Sequence, residues 1–373
     1  MRTRAAVLRE VPGKWQIEEV ELDEPKYGEL LVEMVATGLC HSDDHYLHGD
    51  TTVEHFPLVG GHEGAGIVRK VGVGVTGFEV GDHVLTSFIP ACGKCRWCAE
   101  GKQNLCDFGA KIMRGDQFDG TFRMHTDDGL DVATMTLLGT FAEYQVFDQL
   151  SLVKIDEDLP LEVVCLVSCC VQTGFGSATD AGGVRPGDVV LVAGVGGVGM
   201  NAVQGARESG AAHIIVADPE PSKQKWAYDF GCTESFASIM DAMPRIQQLT
   251  NGQGADVTIL TPGLLTNQII GEGLMSIRKG GTLVVTAVSN HQEEAIVPSF
   301  NGLNMSMMQK RIQGVLFGNR GPRDAMPKML NLYRAGKLKL DELVTKRYTL
   351  DQINEAYDDM RDGKNIRGVV TFR

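Results

Sequence analysis

Residues 188–218 limit the possible folds more than any other part of the chain, because they read DVVLVAGVGGVGMNAVQGARESGAAHIIVAD. An apolar run typical of a buried strand, Val189–Ala193, meets a G-x-G-x-x-G turn, and a helical segment continues to about Gly210. A second apolar run, Ile214–Ala217, ends at Asp218. A glycine-rich turn alone is weak evidence, but strand, turn, helix, strand and acid in this order predict a βαβ unit that binds a dinucleotide.

The glycines of this turn have separate physical roles. Gly194 permits the tight turn, Gly196 lets the backbone approach a pyrophosphate, and Gly199 lets the helix pack closely on the strand. The helix that opens at Gly197 and Val198 offers N–H groups and the positive end of its dipole to phosphates. The turn is therefore predicted to hold the phosphates of the cofactor.

Asp218 lies 19 residues beyond Gly199, where an acid is expected to accept a hydrogen bond from a ribose 2′-hydroxyl. A 2′-phosphate would meet like charge at this position, so the pattern favours NAD over NADP. A βαβ unit that binds no ligand is the alternative interpretation.

The rest of the second half continues the same pattern. Apolar runs near residues 255–263 and 280–288 read as further buried strands of a parallel sheet. We therefore expect a doubly wound α/β domain over 172–316. A chain of 373 residues exceeds one comfortable hydrophobic core, so a second domain is predicted in addition.

Residues 90–107 read PACGKCRWCAEGKQNLCD and carry a C-x2-C-x2-C-x7-C pattern formed by Cys92, Cys95, Cys98 and Cys106. Zinc takes four thiolates tetrahedrally in structural sites, and C-x2-C steps let one turn supply neighbouring ligands. An iron–sulfur cluster also takes thiolates, and four unligated cysteines would be exposed reactive thiols. The spacing favours a structural zinc that holds together a lobe poor in apolar residues.

Three other segments carry candidate ligands: GLCHSDDHYLHGD (38–50), FPLVGGHEGAGIV (56–68) and VCLVSCCVQTG (164–174). Cys40 and His62 are good zinc ligands, although each alone is more often a buried cysteine or a hydrogen-bonded histidine. The third segment holds Cys165, Cys169 and Cys170, and nothing inside it decides which thiol has a chemical role.

Taken together, Cys-x-Ser-Asp, Gly-His-Glu-Gly, the zinc-type cysteines and the nucleotide turn resemble the zinc-dependent medium-chain alcohol dehydrogenases. The resemblance covers essentially the full length, from Cys40 to Arg367 in GKNIRGVVTF. It implies a GroES-like β-barrel catalytic domain over 1–171 that carries the structural zinc lobe and a Rossmann domain over 172–316. It also implies that 317–373 returns to the first domain.

The resemblance gives each matching residue a role. Cys40 and His62 would hold a catalytic zinc with the cysteine four residues before Thr173 of the T-G-x-G turn, Cys169, while Cys165 and Cys170 would be small core residues. Around the implied metal, Asp43 would orient His62, and Glu63 would lie behind the ion. Ser42 and His45 would relay the proton. The implied cofactor contacts are His41, Thr173 and Arg367, with Lys223 near the adenosine ribose, and the implied substrate-pocket residues are Phe88 and Phe141. For the two phenylalanines a place in the core is an equal alternative.

The implied activity is oxidation of primary alcohols to aldehydes, or the reverse, with two zinc ions per chain and hydride transfer to NAD. FIPACGKCRWCAEGKQNLCDFGA, MTLLGTFAEYQVF and NIRGVV are most like the actinobacterial nicotinoprotein branch. That branch keeps NAD bound and reoxidises it in place with an artificial nitroso acceptor or a mycofactocin-type carrier. Thr51 and Ala110 stand where glutathione-dependent formaldehyde dehydrogenases use an acid and an arginine, so glutathione adducts are disfavoured as substrates.

Two other functions stay open at the level of sequence. One is a zinc-dependent reductase of another carbonyl class, such as polyols or aromatic aldehydes. The other is a non-catalytic zinc-ribbon binding protein with a vestigial nucleotide domain. Metal content separates the enzyme from the binding protein, because the enzyme needs two zinc ions per chain and the binding protein needs one.

Charge and hydropathy exclude several classes. The formal net charge of −13 argues against binding to nucleic acids or anionic membranes. No run approaches 18 consecutive apolar residues, and MRTRAAVLREVPGKW lacks the apolar core of a signal peptide. We therefore expect a cytoplasmic protein whose nine cysteines stay reduced and, from the resemblance, a homo-oligomer.

Overall fold

The computed structural model describes residues 1–290 and 302–372. Its contacts divide the chain into two compact units. The first unit consists of Met1–Cys169, Gly321–Gly336 and Leu340–Arg373, and the second consists of Cys170–Arg320 and Lys337–Lys339. The predicted domain limits, 1–171, 172–316 and 317–373, stay a prediction, and residues 291–301 of the middle segment lie outside the described residues.

Strands predominate in the first half of the chain, and strands alternate with α-helices from Val189 onward. The strands are β1 (Arg2–Leu8), β2 (Gln16–Leu22), β3 (Glu29–Gly38), β4 (Leu58–Val59), β5 (Glu63–Val71), β6 (His83–Thr86), β7 (Met124–His125), β8 (Asp131–Thr134), β9 (Tyr144–Asp148), β10 (Leu152–Ile155), β11 (Val189–Ala193), β12 (His213–Ala217), β13 (Glu234–Phe236), β14 (Ala255–Leu260), β15 (Ile277–Val285), β16 (Arg311–Gly314), β17 (Val344–Tyr348) and β18 (Arg367–Thr371). The α-helices are α1 (His41–His48), α2 (Arg96–Ala99), α3 (Leu161–Val164), α4 (Cys170–Gly176), α5 (Gly197–Glu208), α6 (Pro221–Phe230), α7 (Ile239–Leu249), α8 (Asn267–Ser276), α9 (Gly302–Met308), α10 (Pro322–Arg334) and α11 (Ile353–Arg361).

Five strands of the first unit close into a barrel in the order β1, β2, β7, β8, β4. Neighbouring strands are antiparallel except for β4 and β8, which are parallel. Barrel closure leaves no unpaired sheet edge, and the inward side chains fill the interior. The predicted β-barrel is confirmed.

The first unit also contains a seven-stranded sheet in the order β10, β6, β5, β3, β18, β17, with β9 paired to β3 as well. The last strand, β18, therefore lies between β3 and β17. Val369 pairs with Gly38 and Thr371 with Ala36, so residues from the two ends of the chain share one ladder. This ladder places the final segment beside the strand that leads to Cys40.

The core of the first unit includes an aromatic group formed by Trp15, Phe141 and Tyr357. Phe141 packs edge-on against Trp15 at 5.5 Å between ring centroids and against Tyr357 at 6.3 Å. Tyr357 belongs to α11, whose buried face includes Ile353 and Ala356, as the apolar spacing of this segment requires. We call Trp15, Phe141 and Tyr357 the aromatic core.

The second unit is built on six parallel strands in the order β13, β12, β11, β14, β15, β16. This is the strand order of a dinucleotide-binding doubly wound sheet, and every residue of β11 is buried. The predicted strands over Val189–Ala193 and near 255–263 and 280–288 correspond to β11, β14 and β15. The doubly wound fold is confirmed.

Among the described residues, no single helix is long and apolar enough to cross a membrane. One bent pair of segments, Leu161–Ser168 and Cys170–Ala181, meets the length and composition criteria only when the two are counted together.

Candidate active site

The four cysteines of the 90–107 loop lie close enough to share one ion. Their sulfur atoms all lie within 4.8 Å of one another, with 3.8 Å between the sulfurs of Cys92 and Cys98 and 4.0 Å between those of Cys95 and Cys106. Tetrahedral zinc with Zn–S bonds of about 2.3 Å separates its sulfur ligands by about 3.8 Å. The donor set and its spacing therefore fit zinc.

Local backbone geometry and charge support the same conclusion for this lobe. The backbone N–H groups of Lys94 and Cys95 point at the Cys92 sulfur at 3.4 and 3.3 Å, as expected around a thiolate. A backbone hydrogen bond from Asp107 lowers the pKa of Cys95 to about 7, whereas burial raises the pKa of Cys98 to about 12. A bound cation favours the thiolate form of its cysteine ligands, so it would act against the effect of burial on Cys98.

A second group of potential ligands consists of Cys40, His62, Glu63 and Cys169, whose ligand atoms lie within 4.8 Å of one another. All four residues are buried. Cys40 precedes α1, His62 and Glu63 stand at the start of β5, and Cys169 occupies the break between a 3₁₀ turn over Cys165–Ser168 and α4. Of the three cysteines in the 164–174 segment, this group includes Cys169 but not Cys165 or Cys170.

His62 is oriented by Asp43. The Nδ1 atom of His62 lies 3.2 Å from Asp43 Oδ1, and the same oxygen accepts a hydrogen bond from the Gly61 N–H at 3.0 Å. Burial lowers the pKa of His62, but Asp43 and Cys40 both raise it, and this pKa lies well above its usual value. With Nδ1 engaged by a carboxylate, Nε2 is the atom that His62 can offer to a metal.

Cys40 has the electrostatic environment of a ligand thiolate. A hydrogen bond from Cys169 acts against burial, and the pKa of Cys40 lies well below its usual value. Burial instead raises the pKa of Cys165. Two cysteines and one imidazole, with a carboxylate behind the imidazole, therefore fit a catalytic zinc.

Glu63 forms a buried ion pair with Arg367 of β18, a contact that the sequence motifs did not suggest. Burial raises the pKa of Glu63 to about 7, while the Arg367 guanidinium acts to lower it. Arg367 is only 5% exposed, and it contacts the Glu63 carboxylate beside the proposed metal ligands. Its predicted contact with a cofactor pyrophosphate stays a prediction.

The predicted proton relay lies on α1. Ser42 is exposed, and its hydroxyl oxygen is 3.6 Å from the Cys40 sulfur. His45 is buried, and its Nδ1 atom lies 2.9 Å from Asp50 Oδ2. His41 is exposed, with its ring 6.4 Å from that of His45. The sequence analysis did not predict that Asp50 would contact His45, although Asp50 directly follows Gly49, the glycine that ends α1.

The two predicted pocket aromatics have different surroundings. Phe88 meets the His62 ring edge-on at 5.8 Å and is half-buried, and its place beside the substrate stays a prediction. Phe141 is fully buried in the aromatic core, where it presents no surface to a substrate. Its position is that of a core aromatic, the alternative that the sequence left open.

The glycine-rich turn of the second unit has the predicted geometry. Gly194 has a φ of +87°, and a Cβ atom on Gly199 would lie 2.0 Å from the Gly194 carbonyl oxygen. Around a Cβ on Gly196, by contrast, no described heavy atom lies within 4 Å. The turn thus leaves an open cradle at Gly196, next to the N-terminus of α5 at Gly197, where a pyrophosphate fits.

Other predicted cofactor residues also lie in the second unit. The Asp218 carboxylate follows β12 and accepts hydrogen bonds from the N–H groups of Val195 and Glu220 at 2.8 and 2.9 Å. It therefore also fixes the glycine-rich turn, which the sequence pattern did not indicate. Lys223 is half-buried in the first turn of α6. Among the described residues, the buried Thr173 hydroxyl has no hydrogen-bond partner.

Comparison with known protein families identifies the class of protein to which this fold and this ligand group belong. Residues 26–157 match the family described as the alcohol dehydrogenase GroES-like domain, and residues 197–335 match the zinc-binding dehydrogenases. A dehydrogenase that uses zinc and a nucleotide cofactor is the class that the fold and the site share. The chain belongs to the zinc-dependent medium-chain alcohol dehydrogenase family, and it is similar to the nicotinoprotein branch of that family.

Individual relatives agree with this assignment. The NDMA-dependent alcohol dehydrogenase of Amycolatopsis methanolica is 49% identical over 99% of both chains. A zinc-binding alcohol dehydrogenase domain protein from Burkholderia ambifaria is 30% identical, with a TM-score of 0.92 over 100% of this chain and 99% of its own. Benzyl alcohol dehydrogenase from Acinetobacter calcoaceticus is 28% identical, with a TM-score of 0.91 over the full length of both chains.

Membership in this family confirms the predicted enzyme class. The chain is an oxidoreductase with zinc alcohol dehydrogenase activity toward small alcohols or aldehydes. The non-catalytic zinc-ribbon alternative is set aside, because both halves of the chain match dehydrogenase families.

Proposed function

We propose that the chain oxidises primary alcohols to aldehydes, or runs the reverse reaction, with NAD as the hydride carrier and a catalytic zinc held by Cys40, His62 and Cys169. The observation that carries the proposal is the buried ligand group itself, with Asp43 on the far nitrogen of its histidine. Three protein ligands of this kind leave one coordination position for a substrate.

The residues around the ligand group define what the protein contributes. Zinc at this site supplies a Lewis acid that makes an alcohol easier to deprotonate. Asp43 engages Nδ1 of His62, which leaves Nε2 as the atom that can bind a metal. Burial excludes water from the ligands, which strengthens every electrostatic interaction among them. Glu63 is restrained beside them by Arg367.

Ser42 and His45 provide a route for the alcohol's proton. Ser42 lies on the first turn of α1, beside Cys40, and its hydroxyl can accept one proton while donating another. His45 follows three residues later, so the two side chains lie on neighbouring turns of α1. Asp50 fixes the Nδ1 side of the His45 ring, which leaves Nε2 for proton exchange.

NAD is the proposed cofactor because the Asp218 carboxylate follows β12. It accepts hydrogen bonds from two backbone N–H groups, and its negative charge would repel a 2′-phosphate. We further propose that NAD stays bound and is reoxidised in place, by an artificial nitroso acceptor or a mycofactocin-type carrier. The name of the Amycolatopsis methanolica relative, which refers to NDMA dependence, supports this proposal.

Two assembly features complete the proposal. A structural zinc would be held by Cys92, Cys95, Cys98 and Cys106, which makes two zinc ions per chain. The chain would also form a homo-oligomer. Within the described residues, β16 pairs with β15 alone and all four of its residues are exposed, so it offers an open sheet edge to a second copy. Light scattering during size-exclusion chromatography measures the oligomeric state.

Metal analysis of matched variants tests the catalytic site. We expect two zinc ions per chain in the wild type, one in Cys169→Ser and two in Cys170→Ser, because only the first of these cysteines belongs to the ligand group. The Cys169→Ser protein should also lose alcohol oxidation. If Cys170→Ser loses the ion and Cys169→Ser keeps it, the assigned ligand is wrong.

Anaerobic addition of alcohols tests substrate and cofactor together. Primary aliphatic alcohols and benzyl alcohol are added to purified protein, with and without NAD, while nicotinamide absorbance is followed. A change without added NAD supports a retained cofactor. Protein that releases no nicotinamide on denaturation, and that oxidises alcohols only when NAD is supplied, refutes retention but leaves the dehydrogenase activity intact.

A further inference from the structure

Several buried polar atoms of the first unit have no hydrogen-bond partner among the described residues, and three of them are Asp43 Oδ2, Tyr357 OH and Trp15 Nε1. Asp43 and Tyr357 are fully buried, and Trp15 is 2% exposed. Buried polar atoms in native proteins are nearly always hydrogen-bonded, either to protein or to internal water. Each of these atoms therefore requires an explanation.

Trp15 and Asp43 both contact the Gly60–Gly61 turn that precedes His62. The Trp15 ring lies so close to Gly60 that a Cβ there would be 2.3 Å from it, and the Gly61 N–H donates to Asp43 Oδ1. Tyr357 joins this group through its ring contact with Trp15, at 6.4 Å between centroids.

The chemistry of the three atoms is complementary. The indole N–H can only donate, the carboxylate oxygen can only accept, and the tyrosine hydroxyl can do both. The electrostatics agree with this placement, because the pKa of Tyr357 is raised first by burial and next by the Asp43 charge. An internal water typically makes about three hydrogen bonds to such groups.

We propose that Tyr357 is a positioning residue for His62, acting through an internal water that also accepts from Trp15 and donates to Asp43 Oδ2. Asp43 Oδ1 already binds His62 and the Gly61 N–H, so the water fixes the second oxygen and thereby the carboxylate plane. This inference rests on the proposed role of His62 as a zinc ligand.

Both donors are held in place by the fold. Asn354, at the start of α11, accepts from the Trp15 backbone N–H at 3.1 Å and donates to the Trp15 carbonyl at 2.8 Å. Tyr357 follows one turn later on the same helix. Asn354 therefore ties the Trp15 backbone to α11, the helix that carries Tyr357.

The test is the rate at which zinc leaves the holoenzyme in excess chelator, followed with a coloured zinc indicator. The two zinc ions should leave in separate phases, and Cys98→Ser identifies the phase of the structural site. We expect Tyr357→Phe to accelerate the catalytic-site phase by about tenfold, the lower end of what changing a partner behind a ligating histidine does. Trp15→Phe should act in the same direction, and the structural-site phase should not change.

Tyr348→Phe is the matched control. Tyr348 is also buried in the first unit, but its hydroxyl donates to Asp359 at 2.9 Å and accepts from Asn365 at 3.2 Å, so removing it should leave both zinc phases unchanged. Wild-type zinc release from both Tyr357→Phe and Trp15→Phe, alongside faster release from Asp43→Asn, would overturn this inference alone. A wild-type protein with a single zinc, absent from Cys98→Ser, would instead overturn the proposed function.

Discussion

Two alanine substitutions in the turn before α5 should separate folding from cofactor binding. A Cβ at Gly199 would lie 2.0 Å from the Gly194 carbonyl oxygen, so Gly199→Ala forces α5 away from the turn. A Cβ at Gly196 meets no described heavy atom within 4 Å, and its φ of −75° suits alanine. Gly196→Ala should therefore fold normally and place a methyl group in the cradle.

Gly199→Ala should mainly lower the stability of the fold, whereas Gly196→Ala should mainly weaken NAD binding. Overpacking of this type costs about 1–3 kcal/mol, so Gly199→Ala should lower the melting temperature by roughly 2–12 °C. Gly196 is the residue before the first turn of α5, where alanine is a poorer cap, so Gly196→Ala should cost no more than about 1 kcal/mol. Losing one charge-assisted phosphate contact, about 1.5–3 kcal/mol, should weaken NAD binding about ten- to hundredfold in Gly196→Ala.

The assay has to remove cofactor first, because bound NAD stabilises the folded state by mass action. Circular dichroism then gives the melting temperatures of the cofactor-free proteins, and calorimetric titration gives NAD affinity. Unchanged NAD affinity in Gly196→Ala would refute the cradle, and a wild-type melting temperature for Gly199→Ala would refute the packing argument.

Three further predictions concern the first unit. Arg123→Met leaves the buried Glu29 carboxylate without its guanidinium, so the free energy of unfolding in urea should fall by about 3–5 kcal/mol. Arg9→Met removes an exposed ion pair and should lower it by no more than about 1 kcal/mol, so equal losses would contradict the prediction. Burial raises the pKa of Asp148 to about 6, so folded protein holds a proton between about pH 4 and 6 that the unfolded chain releases, and stability falls as pH rises through this window. Asp148→Asn should therefore raise stability near pH 7 by about 1–2 kcal/mol, with the gain vanishing toward pH 4 in thermal melts; a loss near pH 7 would refute it. Cys98→Ser should remove one zinc per chain and expose the 90–107 loop to proteolysis, and full zinc content would count against the structural site.

The sequence was sufficient for the features that depend on local spacing. The parallel sheet follows from apolar runs and a glycine turn whose members interact within a few residues, and the four-cysteine group follows from ligands within one loop. The barrel came from resemblance, because barrel closure depends on which distant strands pair, and β4 with β8 is a pairing that periodicity does not encode.

The parts that escaped prediction depend on long-range packing. The pairing of Arg367 with Glu63, a residue far away in the chain, was not predicted, and the predicted contact of Arg367 with the cofactor stays a prediction. For Phe141 the sequence left a pocket position and a core position equally open, and its contacts with Trp15 and Tyr357 show the core position. The residues that neighbour Arg367 and Phe141 in the sequence give no indication of these long-range contacts.

The position of β18 within its sheet has a consequence for the time course of synthesis. One side of Ala36–Gly38 in β3 pairs with β18, which is made only after the whole second unit has been translated. At about 5–20 residues per second, the interval between Cys169 and Arg367 lasts on the order of ten to forty seconds. During that interval all the proposed catalytic ligands exist, but the partner of Glu63 does not. The nascent chain can therefore meet zinc before its sheet is complete, and the last strand to emerge finishes the electrostatic surroundings of a site whose ligands were made first.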